Sequence, residues 1–136
     1  MEPVCEFKDK KQLQDCCREW QHKLMLDHWI IYAGFHTTAE YPDEYGHVEF
    51  SIANETATIT ILDKMPTGRI TRNCAELSLI HELLHLKLGW LEANETYEAI
   101  YLDEKQHQLI HELARSLIMA KYDLDYDWFK NPEVDF

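Results

Sequence analysis

The chain has 136 residues, 46% hydrophobic and 28% charged, enough apolar mass to bury a core and to exclude wholesale disorder. Thirteen Lys and Arg against 25 Asp and Glu leave a net charge of −12, a surface that repels phosphate backbones and argues against a nucleic-acid partner. No apolar run reaches the length of a membrane span, and the N-terminus lacks a basic-then-apolar secretion signal, so the expectation is one cytoplasmic domain, 1–136, without a membrane partner.

Residues 1–6 read as a loose start. From Lys8 to about Leu26, Leu13, Cys16 or Cys17, Trp20 and Leu24 recur at helical spacing, with Trp20 as a core anchor. Trp29–Phe35 is a short β-branched and aromatic run and predicts a first strand. Pro42, Asp43 and Gly46 punctuate the turn-prone piece that follows. His47–Ala53 and Ala57–Leu62 alternate with period two on either side of Asn54-Glu55-Thr56, predicting two more strands joined by a hairpin turn. The fold class is therefore α+β, with a small, largely antiparallel three-stranded sheet. His36 and His47 flank the turn region and read as exposed loop residues.

Pro66 and Gly68 break the third strand. A second helix then begins with a capping-box pattern, Asn73 followed by Glu76, and ends at Gly89. A third, long helix runs from about Asn94 to Lys121, with the core at about 8–121. The acidic, aromatic tail, 122–136, is expected to pack loosely. Cys5, Cys16, Cys17 and Cys74 contain no C-x-x-C pair, which argues against a cysteine-based zinc site and for free thiols.

The second helix carries the chemistry. His81-Glu82-Leu83-Leu84-His85 is an H-E-x-x-H motif, and its helical spacing sets the two histidines one turn apart on one face, able to hold one metal ion. Glu82 then lies where a general base can reach a water at that ion. Leu77, Leu79, Ile80, Leu83, Leu84, Leu86 and Leu88 surround the motif, so the helix should be buried. Two histidines and a carboxylate inside a buried helix cost several kcal/mol unless compensated, and metal ligation compensates them. The competing account is a hydrogen-bonded polar cluster in the core.

A catalytic zinc site takes three protein ligands. His107 is the first choice for the third, because it leads the face that continues into Ile110, Ala114 and Leu117. Glu104 and His111 share that face and are the alternatives. His111, Tyr97 and Tyr101 are also candidates to stabilise an oxyanion.

These features resemble the zincin metallopeptidases. They comprise an N-terminal helix, a small sheet, the His-Glu-Leu-Leu-His helix and a following helix with a further ligand. The arrangement is most similar to minimal gluzincin-type and SprT-type domains and to short metallopeptidases of phages and mobile elements. In that last group the second helix runs into a Leu-Ala-Arg segment, matched here by Leu113-Ala114-Arg115. The same alignment sets His107 near the expected ligand carboxylate, a departure of His for Glu.

The resemblance implies a zinc cofactor, a bacterial cytoplasmic setting, a peptide or protein substrate, and Glu82 as the general base. It also implies that Ala57–Leu62 is the sheet edge along which an extended substrate lies. The alternative function is a catalytically inactive zincin-fold module, binding or regulatory, with a structural zinc. DNA-linked protein repair of the SprT kind is disfavoured by the charge.

Overall fold

The computed structural model describes the backbone of residues 1–89 and 97–136 and the side chains of residues 1–89 and 104–136. The elements run α1 (Lys10–Lys23), β1 (Ile30–His36), β2 (Gly46–Ser51), β3 (Thr56–Leu62), α2 (Ala75–Lys87) and α3 (Tyr97–Tyr122), followed by a 3-10 turn at Tyr126–Phe129. The class is α+β. No helix among the described residues is long and apolar enough to cross a membrane.

The sheet order is β1-β3-β2. It is mixed, where a largely antiparallel sheet was expected: β3 runs antiparallel to β2 but parallel to β1. Alternation marks which residues face inward but not which strand lies beside which. Here β2 and β3 form the hairpin, and β3 pairs on its other side with β1. The central strand is therefore β3, so Ala57–Leu62 is not the edge; the edges are β1 and β2.

Register lines up the inward-facing side chains in rows. Ile31 pairs with Ala57 and Ala33 with Ile59, while on the far side Phe50 pairs with Ala57 and Val48 with Ile59. α2 packs against β2, β3, α1 and α3, which makes it the centre of the molecule. Leu79, Ile80, Leu83, Leu84 and Leu86 are all buried, as its nearly continuous apolar sequence requires. Trp20 of α1 and Ile110, Ala114 and Ile118 of α3 complete the core.

The start of α2 is built differently from a capping box. The cap position is Cys74, without a side-chain hydrogen bond, and Asn73 instead binds Arg69 and the Pro66 carbonyl. The N–H groups of Ala75 and Glu76 donate to the carbonyls of Cys5 and Val4, each at 3.0 Å. The first residues of the chain thus do the capping and are not a loose start. Gly89 also has another role than a left-handed cap. Its φ is not positive; a Cβ there would lie 3.1 Å from the Phe50 ring, so the glycine lets β2 and the end of α2 close on each other.

Two further expectations change. His36 is 1% exposed, its ring nitrogens 2.8 Å from Thr60 Oγ1 and 2.9 Å from the Glu44 carbonyl. It belongs to β1, which extends one residue past the predicted end. The tail is docked as well: Phe129 is buried, Thr71 bridges Lys130, and the Arg72 N–H donates to the Phe129 carbonyl at 2.7 Å. Asn94, the expected start of the third helix, lies outside the described residues.

Candidate metal centre

Two antiparallel helices bring four imidazoles together. His81 and His85 stand one turn apart on α2, and their Nε2 atoms lie 3.3 Å apart. His107 and His111 stand one turn apart on α3. The His107 ring centroid is 4.9 Å from that of His85, and the His111 centroid is 4.8 Å from that of His81. On α3 one row of residues four apart, Gln106, Ile110, Ala114 and Ile118, is buried. The neighbouring row, His107, His111 and Arg115, lines the cleft. The helical period therefore delivers core and site from adjacent stripes of one helix.

One nitrogen from each of His81, His85 and His107 falls within a set whose members all lie within 4.8 Å of one another. Two nitrogens bound to one zinc at ~2.0–2.1 Å with tetrahedral geometry would sit ~3.3 Å apart. The His81–His85 spacing meets that requirement as it stands. Burial first, then the neighbouring His85, His111 and His107, hold the His81 imidazole down to about 3, so it is neutral at physiological pH with a lone pair to give. The donor set fits a zinc ion. Among the alternatives, His111 lies beside the trio, while Glu104 is exposed and outside it. The side chains of Tyr97 and Tyr101 lie outside the described residues.

Glu82 is 7% exposed and lines the same cleft, about 570 Å³ in volume, as the four histidines. Burial pushes its carboxyl up to about 8, with the nearby Glu44 adding to the effect. The strand facing it is β2. In the inward row Phe35–Ile61–Gly46, the last position carries no side chain, and a Cβ there would lie 2.9 Å from Glu82 Oε2. Gly46 had no signal in the sequence beyond that of a turn residue; its place opposite Glu82 follows only from the register.

The two edges of the sheet differ. The β1 edge is sealed by α1: the Gln14 amide donates to the Ile31 carbonyl at 3.2 Å and accepts from the Ala33 N–H at 3.0 Å, and Gln21 donates to the Trp29 carbonyl at 3.1 Å. The other edge, β2, supplies Gly46, His47, Val48 and Phe50 to the wall of the cleft.

Comparison with known proteins finds no matching family model, no significantly similar curated protein and no significantly similar solved structure. The geometry alone carries the functional reading.

Proposed function

We propose that this chain is a zinc-dependent peptidase, with His81, His85 and His107 holding the metal and Glu82 acting as general base. The observation that supports it most is the convergence of three imidazoles from two helices beside a buried carboxyl in an open cleft. A zinc ion there would polarise the scissile carbonyl and acidify a water molecule.

The residues of the chain do the rest. Glu82, buried in the wall of the cleft beside the histidines, takes the proton of the attacking water and passes it to the leaving amine. An extended peptide adds along the β2 edge, the edge that α1 does not seal, and main-chain hydrogen bonds fix its register. His111, next to His81, would donate to the oxyanion.

Metal content by mass spectrometry tests the site, on protein purified without a metal-affinity tag. The expected result is about one zinc per chain, lost in both His81→Ala and His107→Ala. Zinc retained in His107→Ala would move the third ligand to His111 or Glu104. No zinc in the wild type, even after supply, overturns the proposal. Peptide hydrolysis then separates enzyme from binding module: Glu82→Gln should keep the zinc and lose turnover. A zinc-loaded wild type that cleaves nothing in a broad peptide screen would leave the structural-zinc module.

A further inference from the structure

The chain has a net charge of −12, yet three of its four arginines, Arg69, Arg72 and Arg115, line the one cleft that holds the histidines. Two of them meet at the docked tail. Arg72 stacks 4.5 Å from the Trp128 ring centroid and its Nε donates to the Trp128 carbonyl, while Arg115 donates to the Tyr126 hydroxyl and lies 5.8 Å from the Phe129 ring. Arg69 lies 4.1 Å from the Tyr45 ring and donates to the Asn73 side chain.

None of the three forms an ion pair with a carboxylate among the described residues, although carboxylates outnumber cations almost two to one. Each guanidinium has five N–H donors and spends one on a neutral oxygen, and Arg69 and Arg72 also lie over an aromatic ring. An arginine held in this way keeps a fork of donors ready for an incoming carboxylate.

Arg72 and Arg115 line the cleft at the docked tail, whereas Arg69 lies over Tyr45, next in sequence to Glu44.

Resting on the peptidase reading, we infer that the substrate is a peptide carrying an acidic side chain, Asp or Glu, bound by Arg72 and Arg115 at the tail end of the cleft. The global charge of the protein slows the approach of such a peptide. The local fork selects it on arrival, so charge at the cleft, not net charge, sets the preference.

The test uses the full chain, zinc-loaded, as Glu82→Gln for binding and as wild type for cleavage. The probes are N-acetylated, C-terminally amidated decapeptides on an Ala/Phe background, with one Glu, Gln or Lys moved through each position. Fluorescence anisotropy should show a position at which Glu binds about tenfold or more tightly than Gln, with Lys weakest. Arg72→Gln and Arg115→Gln should each remove most of that margin, and Arg115→Glu should turn the preference toward Lys. A reversal of sign is something that lost packing alone does not produce.

Equal binding of Glu and Gln peptides, a margin that survives both substitutions, or no binding by any peptide overturns the inference. So does a requirement for a free C-terminal carboxylate. An arginine-dependent Glu preference without cleavage by the wild type would sink the peptidase reading and leave acidic-peptide recognition intact. Cleavage without a charge preference would do the opposite.

Discussion

Gly46 of the edge strand and Glu82 of the motif helix are in such close apposition that a single methyl group between them would lie 2.9 Å from the carboxylate oxygen. The row that carries Gly46 faces inward, so the absence of a side chain there is what admits the carboxyl to the cleft. Gly46→Ala should therefore displace the Glu82 side chain and leave the backbone in place. The expected cost is about 1–3 kcal/mol of stability, as for other small-to-large changes in packed sites. Zinc content should be unchanged and kcat/KM should fall by about tenfold to a hundredfold, since a misplaced base loses general-base catalysis. Unchanged turnover would show that Glu82 has slack the packing does not reveal.

Protonation of the metal-free protein gives a second prediction. Glu82 titrates near 8 in the fold against 4.5 ordinarily, so between those values the folded chain holds a proton that the unfolded chain has released. Its stabilising contribution is present below 4.5 and is lost as pH rises through 8. His81 has the opposite sign: lowered from 6.5 to about 3, it contributes stability above 6.5 that is lost as pH falls toward 3. Of these two slopes only that of Glu82 remains between pH 6.5 and 8. The Cys5 thiol, lowered from 9.0 to about 7, adds an opposite slope there that is common to the wild type and a Glu82 variant. In chelator, Glu82→Gln should gain roughly 1–2 kcal/mol on the wild type across that interval. Parallel denaturation profiles for the two proteins would mean that Glu82 is already ionised in the fold.

The residues that define the site were legible because they repeat with the helical period. His81 and His85, four apart in a run of leucines, announce a buried helix with a polar pair, and His107 and His111 stand beside the apolar stripe of Ile110, Ala114 and Ile118. Long-range pairing was not legible. Alternation in β1, β2 and β3 marks their inward faces but not that β3 is central, and that position moves the open edge from β3 to β2. Glu76 shows how a local pattern misleads. Three residues after Asn73 it matches a capping box, yet it is drawn inward by partners 46, 56 and 72 positions away in sequence. The same holds for the tail, whose acidic, aromatic composition suggests fraying until Phe129 meets its pocket.

Glu76 carries a prediction of its own. Fully buried, it accepts hydrogen bonds from the Val4 N–H, the Trp20 indole, the Tyr122 hydroxyl and Lys121 Nζ, at 2.9, 2.8, 2.7 and 3.2 Å. It thereby ties the first residues, α1 and the end of α3 to the start of the motif helix. Removing it leaves three donors without their acceptor and the Lys121 ammonium with Glu19 alone, 2.6 Å away. Glu76→Ala should cost about 3–5 kcal/mol in urea denaturation, as breaking a buried ion pair does, and Glu76→Gln less. A loss within the range of a surface pair, about 1 kcal/mol or below, would show that water replaces the carboxylate.

Gln14 protects the far edge of the sheet. Its amide occupies the Ile31 carbonyl and the Ala33 N–H as a neighbouring strand would. Beside it on β1, Ile30 and Tyr32 are 73% and 50% exposed, so without the amide the edge would offer both open hydrogen-bonding groups and apolar side chains. Gln14→Ala should lower stability by about 1–3 kcal/mol, the cost of leaving buried backbone groups unpaired. It should also raise concentration-dependent light scattering, because the exposed edge can pair with a second copy. Adding a charge at the same edge, as Ile30→Lys, should suppress the scattering without restoring stability, since lysine blocks pairing but supplies no amide. If the double variant scatters as strongly as Gln14→Ala alone, the association proceeds through some surface other than β1.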